Sequence, residues 1–133
     1  MSKTSFHILR VGVAVTFLWI GILIFKEPEA WGSLLQPWAA GLLPVSIREA
    51  MIGTAILDLA IGALLLTGFA VWLGALIGAL HLVVVLVTAG INAVTVRDIG
   101  LLSASVALMA SSLSDSAWIK EMMKKSDKPK LES

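Results

Sequence analysis

The sequence contains no cysteine and few charged residues, and both shortages exclude several kinds of protein. Without cysteine, the chain has no disulfides, no CxxC redox motif, no thiolate metal site and no thiol nucleophile. Its two histidines cannot make a metal site by themselves. The sequence also has no dinucleotide-binding fingerprint and no nucleophile–base pair, so it gives no reason to assign an enzymatic reaction.

Charged residues make up 14% of the 133 residues, whereas about a quarter is usual for a soluble domain. The deficit lies in long uncharged blocks, and the mean hydropathy is +0.94. These features predict an all-α integral membrane protein with a single domain.

Four apolar blocks are long enough to cross a bilayer as helices, at about residues 6–25, 50–67, 69–93 and 99–119. The links after the second and third blocks are very short, which forces neighbouring spans to run in opposite directions. We therefore expect residues 1–119 to form an antiparallel bundle of four transmembrane helices in contact with the lipid bilayer. Residues 120–133, rich in lysine, then form a basic tail.

The distribution of basic residues predicts the orientation of the bundle. One side would have Lys3, Arg10 and the five lysines of residues 120–133, against three basic residues on the other, Lys26, Arg48 and Arg97. The positive-inside rule then places both termini in the cytoplasm. The lysine-rich tail is better explained by this rule than by nucleic acid, so we expect no nucleic-acid partner. A cleaved signal peptide at residues 6–25 is the less favoured alternative, because the apolar run is long for one.

Asp58 is the single charged residue in the apolar run 51–67, where a carboxylate costs several kcal/mol unless it is paired or neutral. Its best partner is His81 in the third span. Counting from the outer ends of their spans at 1.5 Å per residue, Asp58 lies at a depth of ~12 Å and His81 at ~16 Å. We therefore predict that they meet directly or through one water molecule. The pair has two interpretations, a structural hydrogen bond that fixes the helix register and a protonatable site.

His81 belongs to a stripe with a period of 3.5 residues, which consists of Gly74, Gly78, His81, Val85, Thr88 and Asn92. This period is typical of the seam between two packed helices, and the two glycines allow close approach. Arg97 and Asp98 lie in the short link before the fourth span, where Arg97 could hold anionic charge at the outer mouth. We expect Trp19 to line the same interior. The loop segment 29–43 is interpreted as a lipid-facing anchor or, less favoured, as a lid.

Several segments resemble DoxX-like membrane proteins across about residues 8–119. Residues 9–25 (LRVGVAVTFLWIGILIF) are similar to that family's first-helix signature. Glu29-Ala30 fits the branch that includes membrane proteins of reactive-chlorine-resistance operons. Residues 72–74 (WLG) and 96–102 (VRDIGLL) resemble its third- and fourth-helix starts. In one departure, Ile24 stands where relatives tend to have a lysine, and Lys26 comes two residues later.

The resemblance implies a four-helix bundle in a prokaryotic inner membrane and a link to quinone-dependent oxidoreduction or oxidative-stress complexes. Our first hypothesis is a non-catalytic accessory subunit that interacts with quinone and with a membrane redox partner protein. Asp58 and His81 would exchange a proton or hydrogen-bond the quinone headgroup. The alternatives are a small proton-coupled transporter, expected to form a homo-oligomer, and a purely structural or assembly subunit.

Overall fold

The computed structural model describes residues 1–127, and all regular structure in this part of the chain is helical. Its helices are α1 (Lys3–Lys26), α2 (Pro28–Gly32), α3 (Pro37–Gly41), α4 (Ile47–Thr67), α5 (Val71–Ala89), α6 (Val96–Ser114) and α7 (Ala117–Ser126). Four of them, α1, α4, α5 and α6, are long and apolar enough to cross a membrane. The predictions of an all-helical fold and of four helices able to cross a membrane are therefore confirmed for residues 1–127.

Local hydrogen bonding places the ends of α4 and α5. Helix α4 begins with a capping box, in which Ser46 and Glu49 each accept a hydrogen bond from the other's backbone N–H. It ends at Gly68, whose φ of 75° is the left-handed conformation favoured by glycine. Helix α5 ends before Gly90, because the Asn92 side chain closes a turn there. Its Oδ1 accepts hydrogen bonds from the backbone N–H groups of Val94 and Thr95.

The predicted third span, residues 69–93, was therefore too long at both ends. The stripe on α5 correspondingly stops at Thr88, and its last predicted member, Asn92, lies in the link to α6.

The predicted fourth span, residues 99–119, was also wrong in its bounds, because the helix breaks at its serine-rich end. The hydroxyls of Ser114 and Ser116 donate to backbone carbonyls three residues earlier, which competes with helix continuation. The chain then enters α7, which includes the first lysines of the predicted tail. Residues 128–133, the rest of that tail, lie outside the described residues.

Glycines set the closest contacts between helices. A Cβ added at Gly21 would lie 3.0 Å from the carbonyl oxygen of Ala55, and one added at Gly62 would lie 3.0 Å from that of Ala14. A Cβ added at Gly78 would lie 3.0 Å from the ring of Phe17. These distances leave no room for a side chain, so α1 packs directly on α4 and on α5 at these points.

The packed helices divide into a solid part and a hollow part. Near the link 68–70, buried apolar side chains fill the interior, namely Val13, Ala14, Phe17, Ile61, Leu65, Val71, Ala75, Leu82 and Leu108. Arg10 binds α1 to α4 at the same end, because its Nη1 donates to the carbonyls of Leu65 and Leu66 where α4 ends. Near the links 27–46 and 90–95, the interior holds a cavity instead.

Candidate functional site

Asp58 and His81 are in direct contact inside the helix assembly. His81 Nε2 lies 3.1 Å from Asp58 Oδ1, and the two side chains are only 11% and 5% exposed, respectively. The contact between the two side chains that their depths predicted is therefore confirmed. No group within residues 1–127 gives Asp58 Oδ1 a hydrogen bond of acceptable geometry, so the ring N–H is not aligned on this oxygen despite the short distance. We regard the contact as a close polar pair whose hydrogen-bonding capacity is incompletely used.

The pair lies at the wall of a cavity of about 220 Å³. Four helices contribute to this wall, which has an apolar majority and a few polar groups: Phe17, Ile20 and Ile24 from α1, Met51, Thr54 and Asp58 from α4, His81, Val85 and Thr88 from α5, and Arg97, Asp98 and Leu101 from α6. An apolar pocket with a small number of converging polar side chains is typical of a small-molecule site.

Arg97 and Asp98 bring opposite charges to the cavity from the start of α6. Asp98 is buried, and it lines the cavity together with Asp58 and His81. Arg97 is half exposed, and its Nε lies 4.0 Å from Asp98 Oδ1. The sequence predicted Arg97 as a site residue but not Asp98, although the two are neighbours in the first turn of α6.

Asp58, His81 and Asp98 do not amount to a metal centre. In the described part of the chain, no three histidine, aspartate or glutamate side chains come close enough to hold a metal ion together. The polar groups of the cavity are therefore best considered for hydrogen bonding and proton exchange.

Few hydrogen-bond donors in the cavity are free to bind a ligand. The hydroxyls of Thr54, Thr88 and Thr95 all donate to backbone carbonyl oxygens, which leaves them as acceptors only. The donors that remain are the ring of His81, the guanidinium of Arg97 and the indole N–H of Trp31. A ligand with carbonyl or other acceptor oxygens therefore fits this wall better than one that offers only donors.

The loop between α1 and α4 covers the cavity. Trp31, Leu34, Leu35, Ala39 and Leu43 all face it. The backbone N–H of Gln36 donates to the carbonyl of Thr88 at 2.9 Å, which fastens the loop to α5. Trp31 also contacts Arg97, whose guanidinium carbon lies 5.7 Å from the ring centroid. The less favoured interpretation of this segment, a lid, describes these contacts better than an anchor does.

An exposed ion pair fixes the outer side of this loop. Arg48 Nη1 donates to Glu29 Oε1 at 2.8 Å, and both side chains are more than half exposed. The hydrogen bond from Arg48 is the main reason that the pKa of the Glu29 carboxyl lies below its ordinary value. This pair connects α2 to the first turn of α4.

Trp19 does not line the interior, and this prediction was wrong. Its side chain is 65% exposed on the outer face of α1, beside Val15 and Ile22, which are also exposed. The spacing of four and three residues places all three on one lipid-facing stripe. The cavity is lined instead by Ile20 and Ile24.

No family model, no curated protein and no solved structure matches this chain.

Proposed function

We propose that this chain is a DoxX-like four-span protein of a prokaryotic inner membrane, with antiparallel helices and both termini in the cytoplasm. The glycine contacts support this arrangement, because Gly21 near the end of α1 meets Ala55 early in α4, whereas Gly62 meets Ala14. The excess of basic residues near the termini supports the orientation.

The absence of cysteine makes this topology directly testable. Ser2 precedes α1 and Ser33 lies in the loop between α2 and α3, and both are exposed. In intact cells, a membrane-impermeant maleimide should label Ser33→Cys and should label Ser2→Cys only after the cells are opened. Labelling of Ser2→Cys in intact cells would contradict the proposed orientation.

We further propose that the protein is a non-catalytic accessory subunit of membrane redox chemistry or oxidative-stress defence, and that it binds a quinone headgroup. The observation that supports this function best is the covered cavity on which Asp58, His81 and Arg97 converge. A quinone ring is apolar with carbonyl acceptors at two edges. Donors in the cavity, among them His81 and Arg97, suit those carbonyls, and the apolar wall suits the ring.

In this proposal, Asp58 and His81 hold the headgroup and can exchange a proton with it. The imidazole donates to a quinone carbonyl, and the adjacent carboxylate stabilises the imidazole when that is protonated. Arg97 would hold anionic charge at the cavity mouth, where its guanidinium contacts Trp31. The oxidation and reduction themselves belong to the redox partner protein.

The small proton-coupled transporter is the second candidate, because a titratable pair faces a cavity near one end of the helices. The solid packing at the other end counts against it. Phe17, Ile61, Leu65, Leu82 and Leu108 are all at most 4% exposed and close the path toward the link 68–70. Transport would require these side chains to separate. Proton-driven flux into liposomes that is lost in His81→Leu would favour this candidate over the accessory subunit.

The binding experiment uses the tryptophan that lines the cavity. Purified protein in lipid nanodiscs is titrated with a benzoquinone that has no tail, and quenching of the fluorescence assigned to Trp31 is followed. A Trp31→Phe variant identifies the signal of this residue. We expect Asp58→Asn and His81→Leu to weaken binding roughly tenfold each, the effect of losing one buried hydrogen bond to a charged group.

The matched control is Trp19→Phe, which changes an aromatic side chain outside the cavity and should leave the affinity unchanged. If quinone does not bind the wild-type protein, or if Asp58→Asn and His81→Leu both bind it as well as wild type, the proposed site is wrong.

The redox partner and the homo-oligomer stay predictions. Extraction of the protein from native membranes in polymer discs, followed by mass spectrometry, would identify retained quinone and protein. A stoichiometric redox protein would support the accessory-subunit proposal. Retention of bulk lipid alone, together with full function of an Asp58→Asn–His81→Gln double variant, would favour a purely structural subunit.

A further inference from the structure

A second hollow adjoins the cavity between α1 and α6. It is a groove of about 460 Å³ whose walls are one face of each helix. Four residues, Ile20, Arg97, Asp98 and Leu101, line both the groove and the covered cavity. The two hollows therefore lie side by side, with these four residues between them.

The groove exists because α1 and α6 pack against each other much less extensively than α1 and α4 or α5 and α6 do. Small residues widen this gap. A Cβ added at Gly12 on α1 or at Gly100 on α6 would have no atom within 4 Å, in contrast to the tightly packed Gly21 and Gly62. These two glycines therefore leave open space at the outer surface of the helices.

The groove has the length and chemistry to hold an extended chain. Along α1 it runs from Ile20 back to Ile8, which are twelve residues apart and thus ~18 Å apart at 1.5 Å per residue. That length is about half of a ~30 Å hydrocarbon core. Away from the shared residues Arg97 and Asp98, its lining is apolar or small apart from Thr16, whose hydroxyl donates to the carbonyl of Gly12. This part of the groove therefore offers no partner to a charged headgroup.

We propose that the groove between α1 and α6 binds the long isoprenoid tail of a membrane quinone whose headgroup occupies the cavity. This inference rests on the proposed function and adds the route by which the ligand enters from the lipid. The polar end of the groove meets the cavity wall at Arg97 and Asp98, and its apolar end lies beside Ile8, which is exposed on α1. An amphiphile with one polar ring and one long tail matches this change in lining, because each part of it meets surface of its own polarity.

The experiment compares two probes on groove-filling variants. One probe is a benzoquinone with a long isoprenoid tail, and the other is the same ring with a methyl group in place of the tail. The variants are Gly12→Leu and Gly100→Leu, which place a side chain in open space of the groove. Gly53→Leu is the matched control, because a Cβ there also meets no atom within 4 Å but lies on α4, outside the groove.

We expect each groove variant to weaken binding of the tailed quinone roughly tenfold, as filling a site with an extra side chain commonly does. Binding of the tailless ring should not change, and Gly53→Leu should change neither. Circular dichroism and thermal unfolding of all three variants verify that they are folded. Tailed-quinone affinity equal to wild type in both groove variants, with the tailless ring still bound, would overturn the tail site but leave the headgroup site standing.

Two further outcomes are decisive. If the wild-type protein binds neither probe, the proposed function fails and the tail site fails with it. If the wild-type protein is a dimer that Gly12→Leu and Gly100→Leu convert to monomers, a second copy of the chain covers the groove and the inference is refuted. A wild-type oligomeric state that both variants retain, together with selective loss of the tailed probe, supports it.

Discussion

The contact between Asp58 and His81 predicts strong energetic coupling between the two side chains. In a double-mutant cycle with leucine, His81→Leu would leave the Asp58 carboxylate without its neighbour at a position where the side chain is only 5% exposed. Removal of one partner from a buried polar pair of this kind costs about 3–5 kcal/mol. Asp58→Leu would leave the buried ring of His81 without its partner, and an unsatisfied buried polar group costs about 1–3 kcal/mol.

The double variant should be far more stable than the sum of these losses indicates. Replacement of both members by apolar groups of similar volume removes the desolvation cost together with the contact, so its net effect is often close to neutral. We therefore expect a coupling free energy of about 3 kcal/mol or more between the two sites. The assay is reversible unfolding in mixed micelles with increasing dodecyl sulfate, followed by circular dichroism, which yields the free energy of unfolding of each variant.

A control cycle tests whether the coupling is specific to the contact. Ser103 lies exposed on α6, and its hydroxyl bonds only to the carbonyl of Ile99 in its own helix. Ser103→Ala combined with Asp58→Leu should be additive within about 0.5 kcal/mol. If the Asp58 and His81 substitutions were additive to the same degree, the pair would have no energetic meaning and the reasoning would be refuted. A stable double variant that no longer binds the quinone ring would separate the structural role of the pair from its binding role.

Three other predictions concern the frame around the site. Gly62→Ala should lower the free energy of unfolding by about 1–2 kcal/mol, because strain from overpacking exceeds the gain in helix propensity. Gly53→Ala should not lower it, since a Cβ there meets no atom within 4 Å. Thermal unfolding of both variants measures the difference, and equal effects would contradict the prediction. Arg10→Met should cost about 1.5–3 kcal/mol through lost hydrogen bonds to α4; an unchanged unfolding midpoint would disprove this. Arg48→Gln should raise the pKa of Glu29 toward its ordinary value, measurable by carboxyl NMR titration. The small stabilisation from that pair is present near neutral pH and is lost as the pH falls through the folded-state pKa.

Helix existence and approximate depth could be predicted from the sequence because both follow from distances along one chain. Hydrophobic length located the four candidate spans, and the rise of 1.5 Å per residue placed Asp58 and His81 close enough to meet. The exact ends could not be predicted in the same way. Hydropathy cannot show that the Asn92 side chain closes a turn. Nor can it show that serine hydroxyls near residue 114 compete with backbone N–H groups for the helix carbonyls.

The faces of the helices were decided only by the tertiary structure. Trp19 and Ile20 are neighbours in an equally apolar run, and hydropathy cannot tell which of them faces lipid when both environments are apolar. The packing of Gly21 and Gly62 at the contact between α1 and α4 sets that rotation, so Ile20 lines the cavity and Trp19 does not. The sequence by itself thus determined the number of candidate spans, their approximate positions and the depth of their polar residues. Tertiary packing decided the rotation of the helices, the burial of Asp98 and the position of the groove beside the cavity, because these depend on contacts between residues far apart in the chain.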